Sequence, residues 1–103
     1  MSDHYILKGR DAVKAGLLEW AQWYETANEE RVVGKTETPN GTVSTVFLGL
    51  DHAFGDGPPM IFETLVFGGT MDQEMNRYST WAQAEAGHAA MVAIVTDKSG
   101  ASE

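Results

Sequence analysis

Six ionisable or aromatic side chains in the C-terminal half of the chain have the types and spacing to line a small-ligand site. Glu63 stands between apolar residues, where an unpaired carboxylate would be costly to bury. Arg77 or His88 could pair with it, giving either a structural ion pair or the polar floor of a pocket. The predicted ligand-binding residues are Glu63, Arg77, Tyr78, Trp81, Glu85 and His88. Trp20 and Trp23 either wall the same pocket or fill the core.

Glu85 and His88 stand three residues apart on a predicted helix, which places both beside its apolar stripe. A Glu-x-x-His pair is half of the ligand set of a carboxylate-bridged di-metal bundle, and a homodimer could double it. The simpler alternative is a hydrogen-bonded polar pair at the edge of the core. Together with Asp51, His52 and Glu63, the pair forms the ligand set of a rival hypothesis, a small metal-dependent hydrolase. We expect neither a cofactor nor a bound metal.

Other signatures of catalysis are weak. Asp51-His52 closes a predicted strand, but strand alternation points the two side chains to opposite faces, so a turn-forming aspartate is the simpler interpretation. The loop from Phe54 to Pro59 is rich in glycine, yet it lacks the Lys-Ser/Thr of a phosphate-binding loop and precedes a strand. Ser44 and Ser79 have no nucleophile-elbow context, and the chain contains no cysteine. The sequence therefore carries no catalytic signature.

Apolar periodicity predicts five strands and two helices. The elements are a strand at Tyr5–Leu7, a helix from Ala12 to about Glu29 with Asp11 as N-cap, strands at Arg31–Thr38, Thr42–Asp51, Met60–Phe67 and Asp72–Tyr78, and a helix from Trp81 to about Thr96. Gly16 is the weak point of the first helix. Asn40-Gly41 supplies the positive φ values of a tight hairpin turn. Thr80 and Gln83 have capping-box spacing, and Lys98–Glu103 is predicted to be a frayed tail.

The predicted order is β-α-β-β-β-β-α, with hairpin-length connections and no alternating βαβ pattern. An α+β fold follows, in which a mostly antiparallel sheet carries both helices on one face. At 103 residues the chain has apolar material for a single domain, residues 1–103.

Both faces of the predicted central strands carry large apolar residues. Val43, Thr45 and Phe47 alternate with Val46, Leu48 and Leu50, and Phe62 and Val66 alternate with Ile61, Leu65 and Phe67. A sheet covered by helices on one side only would show a polar outer face. We therefore expect something to cover the second face: a second copy of the chain in a homodimer, a ligand, or a partner protein.

Charge and composition exclude several classes of function. The formal net charge of −8 repels phosphate backbones, so we expect no nucleic-acid partner. The same charge is explained either by solubility or by an acidic face that docks onto a basic partner. The sequence contains neither a long apolar run nor a signal-peptide pattern, so we expect no membrane association and a cytoplasmic location.

The blocks STVFLGLDHAFGDGPPMIFETLVFGG (Ser44 to Gly69) and MDQEMNRYSTWAQAEAGHAAMV (Met71 to Val92) resemble a family of small uncharacterised proteins encoded by bacteriophages, prophages and their bacterial hosts. The resemblance covers roughly the C-terminal half of the chain. Members of the family tend to carry an acidic pair where Ala82-Gln83 stands here. The resemblance implies a phage-associated setting in the cytoplasm of a bacterial host, and it implies no particular reaction.

Two classes of function follow as hypotheses. The first is a nonenzymatic phage-type accessory protein that acts by binding, either blocking a host or anti-phage defence protein or sequestering a small nucleotide-like ligand. Net charge favours the blocking mode, and the group around Glu63, Arg77, Tyr78 and His88 favours the sequestering mode. The second class is the metal-dependent hydrolase.

Overall fold

The computed structural model describes residues 3–51 and 57–101 of the chain. Within these ranges the elements are β1 (His4–Lys8), β2 (Asp11–Ala15), α1 (Leu17–Thr26), a 3-10 turn (Glu29–Arg31), β3 (Val32–Thr38), β4 (Gly41–Phe47), β5 (Phe62–Phe67), β6 (Met75–Tyr78) and α2 (Trp81–Ala101). Two antiparallel sheets and two helices make the fold α+β, as predicted.

The N-terminal segment departs from the predicted order, because it forms a hairpin before the first helix. Asp11 begins β2 and is not a helix N-cap, and β2 pairs with β1 so that Ile6 lies opposite Val13. Gly9 has a φ of +66°, which lets the chain turn back tightly between the two strands. Gly16 is extended and stands as the N-cap of α1, so the helix predicted from Ala12 to about Glu29 forms only from Leu17 to Thr26.

The main sheet has the strand order β3-β4-β5-β6, with every neighbouring pair antiparallel. The β3–β4 hairpin turns at Pro39-Asn40, and of the predicted Asn40-Gly41 pair only Gly41 has a positive φ, at +138°. The β4 and β5 strands are shorter than predicted, since β4 ends at Phe47 and β5 begins at Phe62. The segment from His52 to Asp56, which includes the histidine of the predicted Asp51-His52 pair and part of the glycine-rich stretch, lies outside the described residues.

One face of the main sheet, the inner face, carries the core and both helices. Trp23 of α1 packs edge-to-face on Phe47, with 5.5 Å between ring centroids. Two clusters of buried residues fill the space: Leu7, Phe47, Ile61, Phe62 and Ala84 in one, and Val43, Val66, Met91 and Val95 in the other. Ile61 was predicted on the opposite face, but it precedes β5, where strand alternation no longer applies, and it is buried in the core.

The last helix begins as predicted and ends later. The Gln83 backbone N–H donates to Thr80 Oγ1 at 3.1 Å, which confirms Thr80 as the cap. The Gln83 side chain accepts from the Ser79 N–H at 3.0 Å, so the return bond of the predicted capping box falls one residue earlier. The helix continues to Ala101, because no proline interrupts it, and the segment from Lys98 to Ala101 is helical where a tail was predicted.

The other face of the main sheet, here called the open face, is not covered by the described part of the chain. It consists of Val32, Lys35, Glu37, Thr42, Ser44, Val46, Glu63, Leu65, Phe67, Met75 and Arg77. Phe67 is 48% exposed, Met75 43% and Val32 40%. Of the residues predicted to form a second apolar face, Val46, Leu65 and Phe67 lie here, and they share the face with four charged residues and two with hydroxyl groups.

No helix in the described ranges is long and apolar enough to cross a membrane.

Candidate functional site

The six predicted ligand-binding residues do not lie together; the structure distributes them over three places. Glu63 and Arg77 lie on the open face, opposite each other on β5 and β6. His88 lies against the inner face, where it contacts threonines of the main sheet. The other three residues, Tyr78, Trp81 and Glu85, lie around the start of α2. A single pocket floored by Glu63 and His88 is excluded, because the sheet itself separates them.

Glu63 and Arg77 form an ion pair on the open face. Arg77 Nε lies 3.2 Å from Glu63 Oε2, and their side chains are 33% and 17% exposed. Glu63 also lies opposite Val46 of β4, so its carboxylate is set among apolar neighbours and takes its charge partner from the adjacent strand. Of the two predicted partners for Glu63, the structure selects Arg77 and gives His88 a different role.

Next to this pair, the open face has a shallow concavity of about 540 Å³. Its lining residues are Val32, Lys35, Glu37, Thr42, Ser44 and Phe67. The lining combines two exposed apolar side chains with two hydroxyls and one charge of each sign. Such a surface can bind an apolar group through contact and a polar group at its margin, but it does not enclose a small molecule as ligand pockets do.

His88 bridges α2 to the inner face through a chain of threonines. Its Nε2 lies 2.9 Å from Thr36 Oγ1, and its Nδ1 lies 2.7 Å from Thr45 Oγ1. Thr45 Oγ1 lies in turn 2.5 Å from Thr64 Oγ1. We call these four residues the His88 network. A Cβ added at Gly34 would lie 3.0 Å from the imidazole ring, so the glycine is what lets the ring reach the sheet.

Desolvation lowers the pKa of His88 below its ordinary value of 6.5. A neutral imidazole suits this network, because one ring nitrogen accepts from a threonine hydroxyl while the other donates to the next one. Thr45 and Thr64 are fully buried polar residues, and both find their partners within the network. The predicted hydrogen bond between Glu85 and His88 is wrong: Glu85 is exposed, and no bond joins the two in the described structure.

The aromatic residues form a packed row that fills the core. Phe47 packs on Phe62 with ring centroids 5.0 Å apart, and Phe62 packs on Trp81 at 6.2 Å, both edge-to-face. The Tyr78 hydroxyl and the Trp81 indole N–H are buried and have no hydrogen-bond partner in the described part of the chain. The guanidinium of Arg10 lies over the Trp81 ring, 5.2 Å from its centroid.

Glu85 lines a small groove beside this row. The groove is about 290 Å³ in volume and is lined by Arg10, Asp11, Thr80, Trp81, Ala82 and Glu85. One arginine faces two carboxylates there, so the groove has no excess positive charge with which to hold an anion.

The predicted metal ligands do not assemble either. Within residues 3–51 and 57–101 no group of three or more histidine, aspartate or glutamate side chains could hold a metal ion. Glu63 and His88 lie on opposite faces of the sheet, and His52 lies outside the described residues. Asp51 Oδ1 accepts the Met60 backbone N–H at 3.0 Å, which is the behaviour of a turn-forming aspartate.

Sequence reasoning missed the threonines of the His88 network. The sequence predicts that Thr45 shares a face of β4 with Val43 and Phe47, but β-propensity alone explains a threonine on a strand, so nothing in the sequence indicated its bond to His88. The alignment of Thr45 with Thr64 follows from the β4–β5 register, which the sequence does not give.

Comparisons with protein-family models, with curated proteins and with solved structures found no match to this chain.

Proposed function

We propose that this protein is a nonenzymatic accessory protein that acts by binding, and that it blocks a host or anti-phage defence protein through the open face of its sheet. The observation that carries the proposal is the open face itself, on which Val32 of β3, Phe67 of β5 and Met75 of β6 are each 40% exposed or more. Contiguous exposed apolar surface rimmed by polar residues is typical of protein interaction sites. The phage-associated setting and the location in the bacterial cytoplasm rest on the sequence resemblance alone.

The charge of the molecule favours a protein partner of defined chemistry. With a net charge of −8, the protein attracts a basic surface at long range and is repelled by nucleic acid. On the open face itself, apolar side chains are interspersed with two positive and two negative residues, Lys35, Arg77, Glu37 and Glu63, whose charges balance. The expected partner is therefore a protein that is basic overall and contacts the open face through an apolar patch.

The alternatives draw less support from the geometry. Sequestration of a small nucleotide-like ligand was motivated by a convergence of Glu63, Arg77, Tyr78 and His88, and these residues lie on different sides of the sheet. The metal-dependent hydrolase needs Glu63 beside His88, and the sheet separates them. The protein-blocking mode needs only the open face.

A capture experiment with matched variants tests the proposal. Phe67 lies on the open face at 48% exposure, and Ile94 lies on α2 at 47% exposure, so the two offer equally accessible apolar side chains on different surfaces. Wild-type protein, Phe67→Glu and Ile94→Glu are immobilised and exposed to bacterial lysate, and bound proteins are quantified by mass spectrometry.

The proposal predicts that at least one lysate protein binds to the wild type and to Ile94→Glu but not to Phe67→Glu. A partner retained equally by all three variants, or lost only by Ile94→Glu, would contradict it. A parallel set of thermal melts with cyclic and linear nucleotides tests the sequestering mode. A nucleotide that raises the melting temperature of the wild type would transfer support to that mode, because ligands that bind the native state stabilise it.

A further inference from the structure

The outer edge of β3 is free to pair with another strand. β3 is seven residues long and lies at one end of the main sheet, where its single strand partner in the described structure is β4. An unpaired edge presents a row of backbone N–H and C=O groups, which is a template for a further strand. The question is which strand fits this edge.

The hydrogen bonds of the sheet fix which residues of β3 face outwards. The Leu48 N–H donates to the Ile61 carbonyl at 2.7 Å, so even-numbered residues of β4 bond towards β5 and odd-numbered residues bond towards β3. Thr36 and the other even-numbered residues of β3 lie opposite those odd-numbered residues and are therefore bonded to β4. The backbone groups of Lys35 and Glu37 point outwards.

The side chains of the same two residues carry opposite charges. Lys35 and Glu37 are both exposed, and they stand two residues apart, so they share the open face. Neither forms an ion pair with another described residue. The edge of β3 therefore combines free backbone groups with one unpaired charge of each sign.

We propose that two copies of this chain pair antiparallel along β3, with the two-fold axis at Thr36. In this register Lys35 of each copy lies opposite Glu37 of the other. Both are outward-facing residues, so each pair also exchanges two backbone hydrogen bonds. Opposite charges directly across an antiparallel pair stabilise it, and the four strands of each copy become one continuous sheet of eight.

The neighbouring registers are disfavoured by charge. Shifting the two-fold axis to Lys35 would place the two lysines opposite each other, and shifting it to Glu37 would do the same for the two glutamates. Registers that place the outward-pointing backbone groups of one copy opposite residues already bonded to β4 in the other copy form no ladder. Only the register centred on Thr36 pairs unlike charges, so β3 is self-complementary in one arrangement and resists the others.

A continuous sheet would also enlarge the open face. The benefit of a larger face rests on the proposed function, whereas the pairing itself does not. Four strands about 4.8 Å apart and about 20 Å long give a face of roughly 400 Å². Standard protein interfaces bury about 800 Å² on each partner, which is close to the face of the paired sheet. The sequence-based prediction of a homodimer placed the second copy over the second face of the sheet, whereas this proposal places it at the edge of β3.

Charge-swap variants test the pairing. We expect wild-type protein at tens of micromolar to sediment with the mass of two 11.2 kDa chains. Lys35→Glu and Glu37→Lys each place like charges across the axis and should raise the dimer dissociation constant at least about tenfold. The double variant restores unlike pairs and should return it to within about threefold of the wild-type value. Circular dichroism melts of all four proteins check that the fold is retained.

Amide hydrogen exchange gives a second measurement that needs no variant. The amides of Lys35 and Glu37 make no ladder bond in a single copy, so they should exchange slowly above the dissociation constant and quickly on dilution below it. The proposal would be overturned by a monomeric mass at about 100 µM, or by single charge-swap variants that dimerise as tightly as the wild type. It would also be overturned by a double variant that dimerises as weakly as the single variants, or by fast exchange of the Lys35 and Glu37 amides at all concentrations. All of these results leave the binding of a partner protein to the open face as a separate question.

Discussion

His88 is the residue whose environment differs most from its sequence-based interpretation. It was predicted either to pair with Glu85 or to line a pocket, and it bonds Thr36 and Thr45 between α2 and the sheet. Both ring nitrogens are occupied by hydroxyl partners, which provide no negative charge to stabilise an imidazolium. The group therefore acts as a neutral cross-link whose strength depends on pH.

The protein should lose stability in mild acid because of this histidine. Since burial lowers the pKa of His88, the unfolded chain binds more protons than the native protein as the pH falls below about 6.5. The contribution of His88 is complete above that pH and is lost as the pH falls through the native-state value. Thermal melts between about pH 5 and 8 should show the decline.

A His88→Gln variant is the control for this pH dependence. Glutamine can bond a threonine hydroxyl and does not titrate, so the variant should melt lower at pH 8 and show a shallower decline towards pH 5. Parallel curves for the two proteins would mean that acid loss arises from other groups and that the His88 network does not sense pH.

Glu63→Ala should destabilise the protein more than Glu29→Ala. Glu63 is 17% exposed and pairs with Arg77, so its loss leaves a half-buried guanidinium without its charge partner. We expect a loss of about 1–2 kcal/mol in the free energy of unfolding, against about 0.5 kcal/mol or less for the exposed Glu29. Urea denaturation measures both, and equal midpoints would contradict the view that the ion pair stabilises the fold.

At the level of strands and helices, local sequence patterns located most elements and misread one. The β3–β4 hairpin and the start of α2 were located from Asn40-Gly41 and Thr80, whose turn and capping chemistry acts over a few residues. The N-terminal hairpin was missed because the apolar spacing of Val13 and Leu17 fits a helix as well as a strand. Gly9 and Gly16 favour a hairpin over a helix only through their backbone angles, which the apolar pattern does not contain.

The candidate site was harder to predict than the fold. Glu63 and Arg77 pair because β5 and β6 adopt one register, and a shift of one residue would have placed them on different faces. The inner position of His88 depends on how α2 crosses the sheet, which the sequence pattern of the helix does not specify. The sequence therefore indicated that Glu63 needs a charge partner, but it did not indicate that Glu63 and His88 lie on opposite faces of the sheet.

Gly34→Ala should test the close contact between β3 and α2. The added methyl would lie 3.0 Å from the His88 ring, which two hydrogen bonds hold in place. We expect a loss of about 1–2 kcal/mol in the free energy of unfolding. Gly16→Ala is the control, because a Cβ there meets nothing within 4 Å, and its effect should stay within about 0.5 kcal/mol. A Gly34→Ala protein as stable as the control would show that the ring can move aside without cost.

The whole molecule is asymmetric about its main sheet. Both helices and the N-terminal hairpin lie on the inner side, where the core and the His88 network are complete. The open face retains exposed apolar side chains, an ion pair and a shallow concavity, and β3 adds an unpaired edge. The protein carries a net charge of −8, which attracts a basic partner surface at long range. These features together support a protein that works by contact with another protein.

The most direct test of that view is the affinity of a purified partner for matched variants. Isothermal titration of the captured partner into wild type, Phe67→Glu and Ile94→Glu compares two side chains of 48% and 47% exposure on different surfaces. We predict that Phe67→Glu weakens binding at least about 100-fold, because it replaces the most exposed apolar side chain of the open face by a charge, while Ile94→Glu stays within about threefold. Equal affinities for the two variants, or a loss confined to Ile94→Glu, would contradict binding through the open face.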